Sequence, residues 1–508
     1  MLLHPDDDVV LALVDLSPGD DLDLRPADSG TGRRRAVTAV TAVIAVTAVP
    51  RGHKVALRSL AVGASVHKYG EVIGRASAPI ASGEHVHTHN LAFTPTTADR
   101  GISRFVDLPA VTAARTFDGF RRPDGLVGTR NYIGVLSSVN CSVTVGKLIA
   151  QAAGEKLRDF PNVDGVVALG HAGGCGLANG QGLQILQRTL RGYAAHPNFA
   201  GILMVGLGCE VNQVADLDLG FAPATRTLTI QESGGTTNAI RAGLAAIDEL
   251  LAEADAGRRT PVPLAELMLG LNCGGSDAYS GITANPALGV AADMLVSHGG
   301  TAVLGETPEI YGAAHLLTSR AVDSAIADRL LERLAWWEEY TKAHGGSLDE
   351  NPSPGNKEGG LTTIVEKSLG AIAKGGHSPL RDVVDYAARV ASKGLVFMDT
   401  PGYDPVSVTG IVAGGAQVMC FTTGRGSVFG CKPTPSIKLC SNTQTYMNMS
   451  EDMDINCGAI LDGEVTVEHM GEVIFERIIA TASGQPTASE LLGFGVEEFA
   501  PWQIGAVL

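Results

Sequence analysis

The stretch GEHVHTHN, residues 83–90, contains histidines at alternate positions: His85, His87 and His89. The whole chain has only 13 histidines, so this spacing is a distinct feature of the segment. In an extended strand, side chains at every second position point to one face, and the three imidazoles would lie side by side. Imidazole binds zinc, iron or manganese and also works as an acid or base. We therefore expect a metal site or a catalytic site here, with a hydrogen-bonded loop as the structural alternative.

Four of the eight cysteines follow short apolar runs in a similar position: Cys141, Cys175, Cys209 and Cys273. Any one of them can be explained as a small residue that fits a tight strand end. Four thiols at equivalent strand ends could instead converge to hold iron or to line a substrate pocket. No CxxC pair occurs, which argues against a zinc knuckle. An iron–sulfur cluster needs three or four cysteine ligands, and these cysteines stand at separate strand ends rather than in one compact run.

Other polar residues occupy glycine-rich segments. In HAGGCG, His171 is a candidate acid or base, or a histidine that caps the local backbone. In GTRNY, Arg130 could clamp a carboxylate with two hydrogen bonds or form a structural salt bridge. The segment FTTGRGSVFGCKPTPSIK places Arg425, Lys432 and Lys438 among glycines, which makes it the best local anion site. The loop NPSPGNKEGG carries Lys357 but no GxxxxGK[ST] pattern, so nucleotide binding is not supported.

Composition limits the class of protein. The chain has 508 residues, 45% hydrophobic and 18% charged, which indicates a globular protein of two to four domains. The net charge of −16 and the lack of a basic patch argue against nucleic acid as a partner. No apolar run is long enough to span a membrane, and the run at residues 36–50 alternates like a strand rather than a signal sequence. We expect a cytoplasmic protein whose cysteines are thiols.

Short strands and turns in residues 1–92 predict a small β domain, and residues 93–116 have the composition of a linker. From 117 to 258, and again from 259 to 508, apolar runs rich in Val, Ile and Leu alternate with helical patterns. This alternation predicts two α/β modules with mostly parallel, buried strands. In such sheets ligands bind at the carboxyl ends of the strands, where most of the polar candidates stand.

Taken together, these segments resemble the altronate dehydratase / galactarate dehydratase family. The resemblance rests on GEHVHTHN, RPDGLVGTRNYIGVLSSVNCS, HAGGCG, GLGCEVNQ, CGGSDAYSGITANPALG, GETPEIYGA, NPSPGNKEGGLTTIVEKSLGAIAKGG and FTTGRGSVFGCKPTPSIK, in order from about residue 50 to 460. It implies an N-terminal SAF-type β domain, two α/β modules, and removal of water from a sugar acid to give a 2-keto-3-deoxy acid. It also implies a divalent metal, Fe²⁺ or Mn²⁺, with altronate as the first expected substrate and galactarate as the second.

Laid on these motifs, the chemistry of dehydration predicts roles for individual residues. His87 and His89 would bind the metal with Cys209, and Glu210 would assist the metal or catalysis. His171 is the first candidate for acid or base, and Lys357 is a further catalytic candidate. The predicted substrate-binding residues are Arg130, Arg425, Lys432, Asn356 and Asp277.

Two alternatives stay open at this stage. A sulfolactate sulfo-lyase resembles the same family and expels sulfite from carbon 3 of a 2-hydroxy acid. A non-catalytic sugar-acid binding protein is the other, and it would need fewer titratable groups than the motifs carry. Large α/β enzymes are commonly symmetric, so we also expect a homo-oligomer.

Overall fold

The computed structural model describes residues 1–22, 43–94, 108, 111, 114–217, 219 and 224–506. Most of the predicted linker, residues 93–116, lies outside these ranges, as do residues 36–42 of the early apolar run. In the described part of that run, Val49 pairs with Leu16 through an isolated antiparallel bridge. None of the described helices is both long enough and apolar enough to cross a lipid bilayer.

The N-terminal β domain consists of two small antiparallel sheets, with strand orders β1-β2-β5 and β3-β4-β6. The strands are β1 (Val9–Leu11), β2 (Lys54–Ala56), β3 (Ser65–Lys68), β4 (Glu71–Ala76), β5 (His85–Val86) and β6 (Leu91–Ala92). They are short because Gly and Pro punctuate the sequence between them. In the register of β2 and β5, Val55 lies opposite His85, and Lys54 lies opposite Val86. This pairing brings the start of β2 next to the histidine row.

The second module is built around a four-stranded parallel sheet with the order β10-β9-β11-β12. Its strands, after β7 (Thr116–Arg121) and β8 (Val127–Gly128), are β9 (Tyr132–Ser137), β10 (Gly165–Leu169), β11 (Phe199–Gly206) and β12 (Ala224–Thr229). Its helices are α1 (Val143–Gly154), α2 (Gln181–Ala194) and α3 (Thr236–Asp255). β9 is buried along its whole length, and its residues are apolar without alternation because helices cover both faces of the sheet.

The C-terminal module contains a seven-stranded parallel sheet with the order β16-β17-β15-β14-β18-β19-β20. Its strands are β14 (Met268–Cys273), β15 (Thr301–Leu304), β16 (Leu380–Val384), β17 (Gly394–Met398), β18 (Val418–Thr423), β19 (Ser436–Cys440) and β20 (Ile455–Asn456). Its helices are α4 (Ala284–Ser297), α5 (His315–Thr318), α6 (Ser324–Ala343), α7 (Pro354–Glu358), α8 (Ile364–Ile372), α9 (Asp404–Ala413), α10 (Thr443–Asn448), α11 (Val467–Ala482) and α12 (Ala488–Leu491). Before this sheet, β13 (Arg259–Pro263) pairs antiparallel with β7, which also pairs with β8, so a third small sheet joins the two α/β modules.

Both parallel sheets reverse their winding direction at one point. In the larger sheet the chain moves from β14 outward through β15 and returns to β18 on the other side of β14. In the smaller sheet it moves from β9 to β10 and returns to β11. Open α/β sheets bind ligands in the crevice beyond the carboxyl ends of the strands at such a switch point. The two switch points are therefore the places where the fold itself predicts sites.

A buried ion triad attaches the β domain to the C-terminal module. Nζ of Lys54 lies 2.9 Å from Glu366 of α8, and Nζ of Lys68 lies 2.8 Å from the same carboxylate. All three side chains are buried. Burial raises the pKa of Glu366, but the two ammonium groups outweigh it and hold that pKa well below its usual value. The β domain is thereby fixed against the C-terminal module.

Candidate active site

The histidine row lies in a cluster of four imidazoles, since His53 joins His85, His87 and His89. The rings of His85 and His89 are 5.3 Å apart, and the ring of His53 lies 5.0 Å from His85 and 4.7 Å from His87. β5 is only two residues long, and Val86 within it is buried. The chain turns directly after the strand, so the histidines cluster through a strand end and a turn rather than along one flat strand.

The histidine cluster, defined by these four residues, packs against the end of helix α7. Nε2 of His53 is 3.1 Å from the carbonyl oxygen of Glu358, and Nε2 of His87 is 3.0 Å from that of Lys357. The last carbonyl groups of a helix have no partner within the helix, so these imidazoles satisfy them. Nδ1 of His87 is buried and has no hydrogen-bond partner. An orphaned ring nitrogen in this position is available to a ligand.

Three of the four imidazoles have lowered pKa values. Burial, reinforced by the neighbouring histidines, lowers the pKa of His85 to about 3. Burial and the nearby ammonium of Lys54 lower the pKa of His87 to about 4. Burial also lowers the pKa of His53. Neutral imidazole is the form that binds metal ions, so burial keeps His85 and His87 in the form that metal binding requires.

The switch point of the seven-stranded sheet lies beside this cluster. Asp277, just after β14, is buried and accepts hydrogen bonds from Ser280 Oγ and Ser441 Oγ, both at 2.8 Å. Its other carboxylate oxygen accepts from Asn442 Nδ2 at 3.0 Å. Burial raises the pKa of Asp277 in spite of these bonds. The carboxylate holds together loops that follow β14 and β19, so its observed role is to shape the crevice.

Arg425 enters the same crevice from the end of β18. Its backbone N–H donates to Gly275 O at 2.8 Å, and its guanidinium approaches Glu358 of α7 at 3.4 Å. A side chain on Gly359 would lie 3.0 Å from Asp277 and 3.3 Å from Arg425, so the absence of a side chain there lets the end of α7 pack closely on both. The guanidinium is half exposed, and its ion pair with Glu358 is loose. It is therefore free to bind an anionic ligand.

A second group of charged residues is buried at the carboxyl ends of β14 and β15. Donor atoms of Cys273, Glu306 and Glu309 lie within 4.8 Å of one another. Lys374 contacts Cys273 Sγ at 2.6 Å and Glu306 at 3.1 Å, and Lys367 contacts Glu309 at 2.6 Å. The two ammonium groups already neutralise the carboxylates. A metal ion would have to displace them, so this group fits a charge network better than a metal site.

The pKa values of the two glutamates in this group are shifted in opposite directions. Burial raises the pKa of Glu306, and the adjacent carboxylate of Glu309 raises it further. For Glu309 burial acts in the same direction, but Lys367 and Lys374 hold the pKa below its usual value. Burial also raises the pKa of Asp404, at the start of α9, to about 7. Glu306 has φ 68°, a left-handed conformation that is uncommon outside glycine and that often marks functional positions.

His171 lies in the second module, and its contacts there are structural, which argues against its prediction as the acid or base. Its Nε2 lies 3.0 Å from Ser137 O, and its Nδ1 accepts from the N–H of Gly173 at 3.2 Å. Both ring nitrogens are used within the loop. Burial lowers the pKa of His171 to about 4. The backbone-capped histidine, the alternative from sequence, is what these contacts support.

Glu210 and Cys209 lie in the same module, at the end of β11. The Glu210 carboxylate accepts from Ser138 Oγ at 2.7 Å and from the N–H of Gly208 at 2.6 Å. Cys209 Sγ accepts from Gln231 Nε2 at 3.3 Å. Among the described residues, no group of three donor atoms within 4.8 Å joins Cys209 to the histidine cluster. The predicted metal set of two histidines and Cys209 is therefore not assembled.

Arg130 precedes β9, at the edge of the sheet opposite its carboxyl ends. The guanidinium is buried and pairs with Glu490 at 2.7 Å and 2.8 Å. It also donates to the carbonyl oxygens of Thr129, Thr481 and Gln485. All of its donor groups are used by the protein. The structure shows the salt bridge that the sequence offered as an alternative, and substrate binding by Arg130 stays a prediction.

Of the remaining predicted residues, one has a structural role, one lies beside the histidine cluster and one lies near the C-terminal segment. Asn356 caps α7 with Ser353 and donates to Ser276 O at 2.7 Å, so it positions the α7 loop on the end of β14. Lys357, in the last turn of α7, lies beside the histidine cluster. Lys432 lies near the C-terminal segment, where its N–H donates to Gly495 O at 2.9 Å. Burial lowers the pKa of Lys432.

Sequence reasoning missed His53 and the buried Glu306–Lys374 group. His53 stands alone in RGHKVA, and only the pairing of β2 with β5 brings it to the histidine row. Glu306 lies in GETPE, directly after the buried strand β15, a position that could have marked it as a site residue. Lys374 is ten residues after the start of α8, and nothing local shows that it points into the sheet edge.

The fold and the site define a multidomain α/β protein with an N-terminal SAF domain over the switch point of a parallel sheet. Three family models match: the altronate/galactarate dehydratase SAF domain at residues 1–94, the D-galactarate dehydratase/altronate hydrolase second domain at 119–255, and the D-galactarate/altronate dehydratase C-terminal domain at 264–507. The chain belongs to the galactarate and altronate dehydratase family.

Curated relatives cover the full chain. It is 34% identical to the altronate dehydratase of Bacillus subtilis (strain 168), over 100% of this chain and 99% of the relative. It is 36% identical to the altronate dehydratase of Escherichia coli (strain K12), over 100% and 99%. It is 37% identical to the galactarate dehydratase (L-threo-forming) of the same organism, over 86% of each chain.

Proposed function

We propose that the protein is a metal-dependent dehydratase that removes water from a sugar acid, with altronate as the preferred substrate and galactarate as the second. The observation that carries the proposal is the juxtaposition of the histidine cluster with the half-exposed Arg425 around the end of α7. One side offers metal ligands and the other binds a carboxylate. The full-length similarity to named dehydratases supports this function.

Two members of the histidine cluster can hold a divalent metal such as Fe²⁺ or Mn²⁺, although among the described residues no three of its ring nitrogens lie within 4.8 Å of one another. Nδ1 of His87 is buried without a partner, and burial keeps His85 and His87 neutral. His87 and His89 would hold the ion, with His85 beside them. Bound metal would act as a Lewis acid that stabilises the enediolate formed next to the substrate carboxylate.

The protein's own groups bind the acid and move its proton. Arg425 would bind the carboxylate through charge-assisted hydrogen bonds. We assign proton transfer to Lys357, the predicted catalytic residue that lies at this sheet edge. Lys357 takes the proton from C2 and gives that proton to the C3 hydroxyl. The C3–O bond breaks, water leaves, and the enol becomes the 2-keto acid.

The test is a 2-keto acid assay on protein stripped of metal. Altronate, galactarate and related aldonates and aldarates are offered with and without Fe²⁺, Mn²⁺ or Mg²⁺. We expect turnover of altronate that returns only when Fe²⁺ or Mn²⁺ is added. Full turnover by the stripped protein would contradict metal dependence, and preference for galactarate would contradict the proposed substrate.

A second candidate is a sulfo-lyase acting on sulfolactate. The chain is 34% identical, over 75% of its length, to the (2R)-sulfolactate sulfo-lyase subunit beta of Chromohalobacter salexigens, and the match covers 95% of that subunit. Sulfite would then leave from carbon 3 in place of hydroxide. Release of sulfite from sulfolactate, without turnover of any sugar acid, would favour this candidate.

A further inference from the structure

The second module presents three cysteines at one edge of its sheet. Cys141, Cys175 and Cys209 are exposed, whereas the other five cysteines of the chain are buried. They follow β9, β10 and β11 respectively. These strands are parallel neighbours in the order β10-β9-β11, so their carboxyl ends meet at one edge. This edge includes the switch point of the smaller sheet, where the fold predicts a ligand.

Hydrogen bonds interlock the three cysteine loops. The N–H of Asn140 donates to Gly173 O at 3.0 Å, and the N–H of Asn212 donates to Gly174 O at 3.0 Å. Nδ2 of Asn212 donates to Ser138 O at 2.8 Å. Each of these residues lies within three positions of a cysteine. Oδ1 of Asn212 is buried and has no partner, so one polar atom at this edge is still unsatisfied.

Glycines let the cysteine loops pack closely on their neighbours. Gly174 has φ 102°, and a side chain there would lie 2.4 Å from Ser138 O. Gly208 has φ 124°, and a side chain there would lie 2.6 Å from Gln231, whose amide donates to Cys209 Sγ at 3.3 Å. This close packing accompanies an amide donor on the Cys209 sulfur, and hydrogen bonds of this kind also support metal-bound thiolates.

We propose that Cys141, Cys175 and Cys209 bind an iron–sulfur cluster at this edge. In the part of the chain that the structure describes, the three sulfur atoms do not all lie within 4.8 Å of one another, the spacing that a single ion would need. A cluster spans thiolates that stand farther apart, because several irons and sulfides lie between them. Each thiol loses its proton when it binds, and no electron is transferred. This cluster does not depend on the proposed dehydratase activity.

Three cysteines leave one iron of a four-iron cluster without a thiolate. The other five cysteines are buried residues of the C-terminal module, and we assign no fourth thiolate. An oxygen of a small hydroxy acid or of water would complete its coordination. The ligand class is therefore a cluster with one open iron, rather than a closed electron-transfer cluster.

The experiment is anaerobic purification of the full chain and of three variants, Cys141→Ser, Cys175→Ser and Cys209→Ser. Iron and acid-labile sulfide are measured, with the visible spectrum and the EPR spectrum after reduction. We expect iron and sulfide in equal amounts in the native chain and a loss of about tenfold in each variant. Cys457→Ala, which removes a buried thiol, is the matched control and should keep both.

Iron without sulfide, zinc in place of iron, or a disulfide between two of these cysteines would each overturn the proposal. Circular dichroism shows whether each variant folds. For a variant that does not fold, the native apoprotein is reconstituted with equal amounts of Fe²⁺ and Fe³⁺ and with sulfide, and then treated with iodoacetamide. Protection of the three exposed thiols supports the cluster, and unchanged labelling overturns it. Both readouts measure the cluster itself, so failure of the sugar-acid assay does not bear on them.

Discussion

The two parallel sheets bear different chemistry at equivalent places. At the switch point of the seven-stranded sheet, titratable side chains are buried and the N-terminal β domain covers them. At the switch point of the four-stranded sheet, thiols are exposed, and Glu210 is used to hold the backbone. Equivalent topology therefore predicts where a ligand binds, while burial and the neighbouring domain decide which chemistry is possible there.

The largest effect should come from breaking the buried ion triad that holds the N-terminal β domain over the larger sheet. Glu366→Gln leaves the ammonium groups of Lys54 and Lys68 buried without a carboxylate, and we expect a loss of about 3–5 kcal/mol in the free energy of unfolding. Urea denaturation measures it. The exposed pair of Glu476 with Arg115 is the control, since Glu476→Gln should cost less than about 1 kcal/mol. Equal losses in the two variants would contradict the role of the triad.

The next prediction tests whether the reaction takes place beside the histidine cluster. His87→Ala should lower kcat/KM by more than about 100-fold and release bound metal, because it removes a proposed metal ligand. Steady-state kinetics and metal analysis measure both. His469→Ala, an exposed histidine on α11, should leave both unchanged. Full metal content in His87→Ala would show that the metal binds elsewhere.

A substitution of Arg425 should weaken substrate binding without changing the chemical step. Arg425→Gln should raise KM by about 10-fold to 100-fold, because a charged hydrogen bond to a carboxylate is worth about 1.5–3 kcal/mol. Arg226→Gln in the second module, which breaks exposed pairs with Glu249 and Glu253, should leave KM unchanged. A change in kcat alone would argue against carboxylate binding by Arg425.

The smallest expected effect concerns pH. Burial raises the pKa of Asp404 to about 7 in the folded protein, so the folded state binds more protons than the unfolded state between about pH 4 and pH 7. The contribution of Asp404 to stability therefore falls as pH rises through this range. The free energy of unfolding of the Asp404→Asn variant, taken as a difference from that of the native chain, should increase by at least about 1 kcal/mol from about pH 4.5 to about pH 8. Urea denaturation at a series of pH values measures this gain, and parallel stability curves would contradict the raised pKa.

Much of the fold could be predicted because its signals are local. The uninterrupted apolar runs of β9 and β17 predicted buried parallel strands, and the structure confirms the α/β class with a small N-terminal β domain. The site was harder, because its members come from distant segments. His53 and Lys374 join it only through strand pairing and helix packing.

Two of the predicted site residues make structural contacts in the protein, and the physical reason is the same for both. His171 and Arg130 have the right chemistry at suggestive places, yet the backbone or a buried partner uses all of their hydrogen-bonding groups. Sequence shows which groups a residue carries, but only the packed structure shows whether another part of the protein already satisfies them.

The triad of Lys54, Lys68 and Glu366 has a consequence for how the chain could be divided. Noncovalent contacts, including this triad and the bonds from His53 and His87 to α7, hold the β domain in place. Continuity of the polypeptide between residues 94 and 114 is then not required for docking. If the chain is divided within that interval and the two fragments are produced separately, they should reassociate into one active complex.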